Sequence, residues 1–276
     1  MEDSEDIAAR GSLTPLVAQI ERERGVDLSQ YRQSYVARRL GTRLRVLMLS
    51  TYREYATYLA EHPTEYARLL DALTVNVTDF FRDPPVWDII RDEVIPSILA
   101  GKVATGHQAV RVWSAGCATG EEPYSLGMAF LAAKEPKPER LLLSITATDL
   151  DPIVLKTAEQ AEYDVAKIDH IPAGDRVRFV EHDDRHFRIT PEVTDRVRFR
   201  KLDLFADQPP LMMDLILCRN VFIYFTREQQ ERVVGVFHRS LVKGGYLVLG
   251  RTERMATEAG KGFEPVSSRE RIYRKL

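Results

Sequence analysis

The chain has 276 residues, of which 44% are hydrophobic and 29% charged, with a formal net charge of −2. This length suits one large α/β domain accompanied by a smaller one. A charge so close to zero disfavours nucleic acid as a partner. The two cysteines form no C-x-x-C pair, so we expect neither a disulfide framework nor a metal site.

The chain shows no apolar run long enough for a transmembrane helix, which needs roughly 18 residues or more. Its first residues, Met1–Asp6, are acidic and lack the apolar core of a signal peptide. We therefore expect a cytoplasmic protein that does not insert into a membrane.

Residues 1–75 predict a small helical domain, because helix signals recur there without an alternating strand pattern. Thr14-Pro15 resembles a helix start and Gly25 a helix end, while Thr51 and Glu54 have the spacing of a capping box. The expected helices cover residues 14–24, 31–49, 51–60 and 63–73.

The second of these helices is rich in arginine and contains no acidic residue between Tyr31 and Ser50. At about 100° per residue, Arg32, Arg39 and Arg43 fall on one line along the helix. Such a charge row is often only a solvated face. With no acid at i±4 to compensate it, we interpret the row as a substrate-binding surface for an acidic partner.

Residues 76–109 are expected to form a linker and a helix from about Pro84 to Leu99. In the linker, the hydrogen-bonding residues Asn76, Thr78 and Arg82 stand at even spacing, so they share one face if the backbone is extended.

The stretch Val110–Phe130 predicts a strand, a turn of small residues and a helix, which is the usual arrangement for binding a nucleotide-type cofactor. Its turn contains Ala115 and Gly116, both expected at the cofactor, and lacks the G-x-G-x-x-G pattern. Glu121 and Glu122 at the helix start would repel a pyrophosphate. They suit S-adenosylmethionine, which has an ammonium, a sulfonium and no phosphate. The plainer interpretation is an ordinary α/β turn with a helix cap.

Later strands end in polar residues at positions where α/β sheets bind ligands. Asp149 ends the second predicted strand and is the candidate for holding a ribose, whereas Asp151 suits a helix cap. Arg219 and Asn220 follow another buried strand. Between them, residues 163–193 predict an inserted β-hairpin with strands at 176–180 and 186–190.

Four strings resemble the CheR family of chemotaxis receptor methyltransferases: Asn76-Val-Thr-Asp-Phe-Phe-Arg82, Trp113-Ser-Ala-Gly-x-x-Thr-Gly-Glu-Glu-Pro-Tyr-Ser125, Ala147-Thr-Asp-Leu-Asp151 and Cys218-Arg-Asn-Val-x-Ile-Tyr-Phe225. The resemblance implies an α/β fold with a class I, Rossmann-like, seven-stranded methyltransferase domain, here at 110–276. It also implies an all-helical N-terminal domain and a small inserted antiparallel β-subdomain.

The resemblance also implies which residues form the site. Arg219 and Tyr224 would be catalytic and lie nearest the transferred methyl group. The S-adenosylmethionine site would be lined by Asn76, Thr78, Arg82, Glu122, Asp149, Asp203, Leu204, Arg219 and Asn220. Asp203 departs from the asparagine that the family commonly has there.

The implied reaction converts glutamate side chains of chemoreceptors to γ-methyl esters and yields S-adenosylhomocysteine. The partner would be the cytoplasmic methylation region of membrane chemoreceptors. Because the predicted hairpin turn, Glu181–Arg185, is short and charged, we expect no dependence on a receptor's C-terminal peptide tether. The alternative is a non-catalytic member of the fold that binds the cofactor or the receptor.

Overall fold

A computed structural model describes residues 10–73, 78–134, 137–255 and 258–276. The described residues form two compact units. The first unit comprises the described residues before position 77 together with Tyr224–Gln229. The second unit comprises the described residues of 77–223 and 230–276. In the described ranges no helix combines the length and apolarity that crossing a membrane requires.

The first unit is helical, which confirms the predicted N-terminal domain. Its helices are Thr14–Arg24, Gln33–Val46, Tyr52–Glu61 and Glu65–Leu73, with a 3₁₀ turn at Leu28–Gln30. The capping box is present, because Thr51 Oγ accepts from the Glu54 N–H at 3.2 Å and the Glu54 carboxylate accepts from the Thr51 N–H at 3.1 Å. In the first helix the N-cap residue is Leu13, which makes no side-chain capping hydrogen bond.

The core of this unit is built from the apolar faces of its helices, since Ile20, Leu40, Tyr55 and Leu59 are fully buried. The segment from Tyr224 belongs to this core. Its tyrosine ring packs on Tyr35, with 4.6 Å between the ring centroids.

The second unit contains the predicted seven-stranded sheet and a smaller three-stranded one. The strands are β1 (Ala109–Ala115), β2 (Leu142–Asp149), β3 (Glu162–Asp164), β4 (Val180–His182), β5 (His186–Ile189), β6 (Val197–Lys201), β7 (Met213–Cys218), β8 (Leu241–Leu249), β9 (Phe263–Ser267) and β10 (Ile272–Lys275). The large sheet has the order β6-β2-β1-β7-β8-β10-β9. Its first five strands are parallel, and β10 runs antiparallel to both neighbours. All six residues of β7 are buried, as expected for the centre of a parallel sheet.

Helices connect these strands. After position 77 they are Pro84–Ile89, Ile95–Ala104, Glu121–Ala132, Pro152–Gln160, Ala173–Phe179, Pro191–Thr194 and Arg227–Ser240. A π-helical turn, Ile90–Val94, joins the first two, so the predicted helix 84–99 continues to Ala104. Further 3₁₀ turns lie at Val165–His170, Phe222–Tyr224 and Ala259–Gly262.

The inserted subdomain is antiparallel, with the order β3-β5-β4, but the predicted strand 176–180 is wrong. Most of that segment belongs to the helix Ala173–Phe179, and only Val180–His182 is a strand. Val177 is 90% exposed whereas Phe179 is fully buried, so these two residues do not share a face. An alternation of four residues is too short to separate a strand from one helical turn.

Candidate cofactor site

The predicted site lies at the carboxyl ends of the parallel strands, where the chain order in the sheet reverses. From β1 the chain continues to β2 and β6 on one side, and then crosses to β7 on the other. A crevice outside the strand ends at such a reversal is where ligands bind in open α/β sheets.

The turn after β1 needs its glycine. Gly116 has φ +78°, and a Cβ atom there would lie 2.4 Å from Cγ2 of Val221, in the loop after β7. The Gly116 and Cys117 amides both donate to the carbonyl of Thr148, at 2.7 and 3.0 Å, which fixes the turn on β2. The loops after β1 and β7 are therefore in direct contact beside the buried Ala115.

Glu122 is buried at the start of the helix Glu121–Ala132. Ser114 Oγ donates to its Oε1 at 2.8 Å, and Arg219 Nη1 lies 3.7 Å from its Oε2. Burial raises the pKa of Glu122 above its usual value, while Arg219 and Ser114 act in the opposite direction. The residue is thus a buried acid whose charge Arg219 and Ser114 compensate only in part.

Arg219 follows β7, and its side chain is almost fully buried. One of its nitrogens, Nη2, donates to Asp83 Oδ2 at 2.6 Å and to the carbonyl of Arg82 at 2.9 Å. Within the described part of the chain, its buried Nε has no hydrogen-bond partner. An unsatisfied buried donor is costly, so it is a candidate contact for an anionic group of a ligand.

Asp149, at the end of β2, holds its own loop in place. Its carboxylate accepts from the Ala118 amide at 2.9 Å and the Asp151 amide at 3.0 Å. Burial raises the pKa of Asp149, and the backbone amides lower it. Asp151 in turn accepts from the Ile153 amide, so the predicted helix cap is confirmed. Since each carboxylate oxygen has two lone pairs, Asp149 can still accept from a ribose.

The remaining predicted cofactor residues occupy less defined positions. Asp203 and Leu204 are half-buried in the loop after β6, where Asp203 accepts from the Phe205 amide at 2.8 Å. Thr78 and Arg82 are half-buried ahead of the helix Pro84–Ile89. Asn76 lies outside the described residues.

The sequence interpretation missed Glu253, which contacts the backbone beside Asn220. Asn220, with φ +62°, is held by a hydrogen bond from its amide to Glu253 Oε2 at 3.1 Å. Glu253 is itself buried in the loop that follows β8. The rule that singled out Asp149 and Arg219, a polar residue at the end of a buried strand, does not reach it, because three residues separate Glu253 from the end of β8 at Leu249.

These residues suit S-adenosylmethionine. In chemical type, the buried carboxylate of Glu122 suits an ammonium, and the Asp149 carboxylate suits a ribose hydroxyl. The structure therefore brings six of the predicted residues together at one edge of the sheet: Ala115, Gly116, Glu122, Asp149, Arg219 and Asn220.

Tyr224 belongs to the first unit, and its role in catalysis stays a prediction. Its carbonyl accepts from the Arg32 amide at 2.9 Å, and Arg32 Nε donates to the carbonyl of Phe225 at 3.0 Å.

The premise that the arginine row is uncompensated is wrong for Arg43. Its guanidinium lies 2.7 Å from the buried carboxylate of Glu65, on the helix Glu65–Leu73. The same carboxylate also accepts a hydrogen bond from the Tyr55 hydroxyl at 3.1 Å. The compensating acid comes from another helix, which an i±4 search within one helix cannot detect. Arg39 lies over the Tyr35 ring, 5.5 Å from its centroid.

Two family models match the chain. One, described as "CheR methyltransferase, SAM binding domain", matches residues 76–272, and the other, "CheR methyltransferase, all-alpha domain", matches residues 12–74.

The chain is also similar to individual proteins. A chemotaxis protein methyltransferase of Listeria monocytogenes is 33% identical over 250 residues, covering 90% of this chain and 92% of that protein. One of Borreliella burgdorferi is 28% identical and covers 88% of each. An uncharacterized 104.1 kDa protein of Rhodobacter capsulatus is 35% identical over 91% of this chain, which spans only 26% of that relative. Among solved structures, a TehB-like SAM-dependent methyltransferase from Corynebacterium glutamicum superposes with a TM-score of 0.37 at 18% identity, covering 70% of this chain and 93% of that one.

Proposed function

Since the chain belongs to the CheR methyltransferase family, which uses S-adenosylmethionine, we propose that it methylates glutamate side chains of chemoreceptors. The products are glutamate γ-methyl esters and S-adenosylhomocysteine. The partner is the cytoplasmic methylation region of membrane chemoreceptors, and the reaction serves adaptation in chemosensory signalling.

The observation that carries this proposal is the buried pair of Glu122 and Arg219 at the reversal point of the sheet. It provides a carboxylate for the cationic end of the cofactor and, beside it, a guanidinium for an incoming carboxylate.

A carboxylate substrate explains why the site needs no catalytic triad. When bound, the cofactor supplies a methyl group on a sulfonium, which is already activated for transfer. A glutamate carboxylate is already a nucleophile, so no proton has to move. The protein has to align the reacting atoms and exclude water. In this proposal Arg219 orients the substrate carboxylate, and the Tyr224 hydroxyl helps to hold it.

The receptor-contacting surface in this proposal is the arginine-rich face of the helix Gln33–Val46. In the row itself Arg32 is exposed and Arg39 is half-buried, and Arg38 and Arg45 are exposed on the adjoining flank, about 100° or more around the helix. The ion pair of Arg43 with Glu65 removes that residue from the cationic surface. An acidic receptor helix would then contact Arg32, Arg39 and the exposed arginines.

Independence from a receptor tether is also part of the proposal. The Asp183 carboxylate accepts from the Arg185 and His186 amides at 2.7 and 2.8 Å, so the turn between β4 and β5 is closed on itself. Calorimetry should detect no micromolar binding of a receptor C-terminal peptide, and such binding would contradict this part.

The direct test is transfer of labelled methyl from S-adenosylmethionine to receptor-bearing membranes, measured as base-labile methanol. Arg219→Ala should lower the rate by about a hundredfold, the scale expected when reacting groups lose alignment. Arg178→Ala is the matched control, since Arg178 forms an exposed pair with Glu192. Absence of base-labile label with the wild-type protein, or full activity of Arg219→Ala, would contradict the proposal.

A further inference from the structure

The Glu253 carboxylate binds backbone amides of two separate loops. Its Oε1 accepts from Phe222 at 2.7 Å and from Ile223 at 3.3 Å, both in the loop after β7. Its Oε2 accepts from Asn220 in the same loop at 3.1 Å and from Gly250, after β8, at 2.5 Å. Each oxygen therefore bridges two N–H groups, and together they join the carboxyl ends of two neighbouring strands.

This carboxylate is almost fully buried, with an exposure of 3%. Burial raises the pKa of Glu253, and the amides of Gly250, Asn220, Phe222 and Ile223 act against that rise. Oriented backbone dipoles thus compensate its charge. A buried charge held in this way is retained only in a fixed geometry, since each lost amide leaves an uncompensated group.

The loops that Glu253 joins form one wall of the cofactor site. Asn220 has φ +62°, in the left-handed region that asparagine adopts more readily than most residues, and its amide is fixed there by Glu253. Its neighbour Val221 packs against Gly116 in the turn after β1. A Cβ at Gly250 would lie 2.9 Å from the Asn220 nitrogen, so the two strand ends meet without a side chain between them.

We propose that Glu253 is a positioning residue for S-adenosylmethionine. By fixing the backbone from Asn220 to Ile223, it sets the place of Arg219 and Asn220 at the cofactor without contacting the reacting atoms. The inference rests on the cofactor half of the proposed function and does not depend on the identity of the methylated substrate.

Asp214 provides a matched control at the opposite end of β7. It is also buried, and its carboxylate accepts from the Arg111 amide at 2.9 Å and lies 2.7 Å from Lys102 Nζ. Loss of either acid should destabilise the same strand. Only loss of Glu253 should affect the end that carries the cofactor residues.

The experiment measures S-adenosylhomocysteine binding by calorimetry and thermal unfolding of the ligand-free protein, for Glu253→Gln and Asp214→Asn. In Glu253→Gln an NH₂ group replaces one oxygen and faces N–H donors, so one pair of amides loses its acceptor. We expect Kd to rise about tenfold, corresponding to one hydrogen bond to a charged group. Asp214→Asn should lower Tm but change Kd less than about twofold.

The inference would be overturned if Glu253→Gln bound the ligand with a Kd similar to that of the wild type while its Tm fell as in Asp214→Asn. That result would show a purely structural role for Glu253. If Glu253→Gln does not fold, Glu253→Asp keeps the charge on a shorter side chain, and unchanged binding by that variant would overturn it equally. A wild-type protein that binds the ligand but methylates no receptor would refute the glutamate substrate and leave this inference intact.

Discussion

Replacing Glu122 with glutamine separates affinity for the cofactor from stability of the fold. The side chain keeps its shape and can still accept from Ser114 Oγ, which lies 2.8 Å away in the wild type. It loses the negative charge that faces Arg219 and, in the proposed complex, the cofactor's ammonium. We therefore expect weaker binding of every ligand that carries this ammonium.

The expected loss follows from the burial of the site. Two unit charges at the 3.7 Å that separates Glu122 from Arg219 attract by about 4 kcal/mol at the effective dielectric constant of a protein. A ligand cation gains less than this, because it gives up hydration on binding. The net value of a hydrogen bond to a charged group is about 1.5–3 kcal/mol, so Kd should rise roughly tenfold to a hundredfold.

The stability of the ligand-free protein should not fall together with its affinity for the ligand. Burial raises the pKa of Glu122, so the folded protein retains this proton at pH values where the unfolded chain has lost it. The ionised group therefore costs stability as pH rises through that window. Removing the charge should leave the Tm of the ligand-free protein unchanged or higher at neutral pH. In the wild type, binding should weaken as the pH falls towards the raised pKa.

Calorimetry with S-adenosylhomocysteine and with 5′-methylthioadenosine tests this reasoning. The second ligand keeps the adenosine but lacks the ammonium, so Glu122→Gln should bind it as the wild type does. Equal losses for both ligands would mean that the substitution disturbs the whole site. Unchanged affinity for S-adenosylhomocysteine would refute the assignment of Glu122 to the ammonium.

Two further substitutions test the turn and the first unit. Gly116→Ala should weaken S-adenosylhomocysteine binding and lower Tm, because a Cβ would lie 2.4 Å from Val221 at φ +78°. Gly174→Ala is its control, since a Cβ at Gly174 would meet no atom of the described residues within 4 Å. Equal behaviour of the two variants would contradict the close packing. Arg43→Ala should lower the free energy of unfolding by about 3 kcal/mol in urea titrations, because the buried carboxylate of Glu65 then keeps only the Tyr55 hydroxyl and the exposed Arg68, 3.9 Å away. A loss below about 1 kcal/mol would show that the pair is solvated.

The fold could be predicted because its signals are local and long. The strands β1, β2 and β7 are apolar runs, and the polar residues at the carboxyl ends of β2 and β7 indicate the candidate site from sequence alone. Glycine at position 116 was recognisable as part of a turn of small residues. The helix Ala173–Phe179 was missed because its apolar residues are too few to define a period.

Contacts between segments distant in the sequence could not be predicted. The pair of Arg43 and Glu65 joins two helices, and Glu253 reaches Asn220 across 33 positions. Glu121 shows the same limit. It had the position of a helix-dipole partner, yet it is fully buried and pairs with Lys167 at 2.6 Å. Such partners are determined by topology, and local periodicity carries no information about them.

In the proposed site, three acids at the sheet edge favour a cationic cofactor over a phosphate-bearing one. The pKa of the Cys218 thiol is raised by burial and, in smaller part, by the negative charges of Glu253, Glu122 and Asp149. All three carboxylates therefore act on one point at the end of β7. Backbone amides compensate Glu253 and Asp149, whereas Glu122 depends on Ser114 and Arg219. Glu122 is therefore the acid best placed to gain from a further positive charge. A pyrophosphate would add to the repulsion at this edge, and a ligand with an ammonium and a sulfonium relieves it.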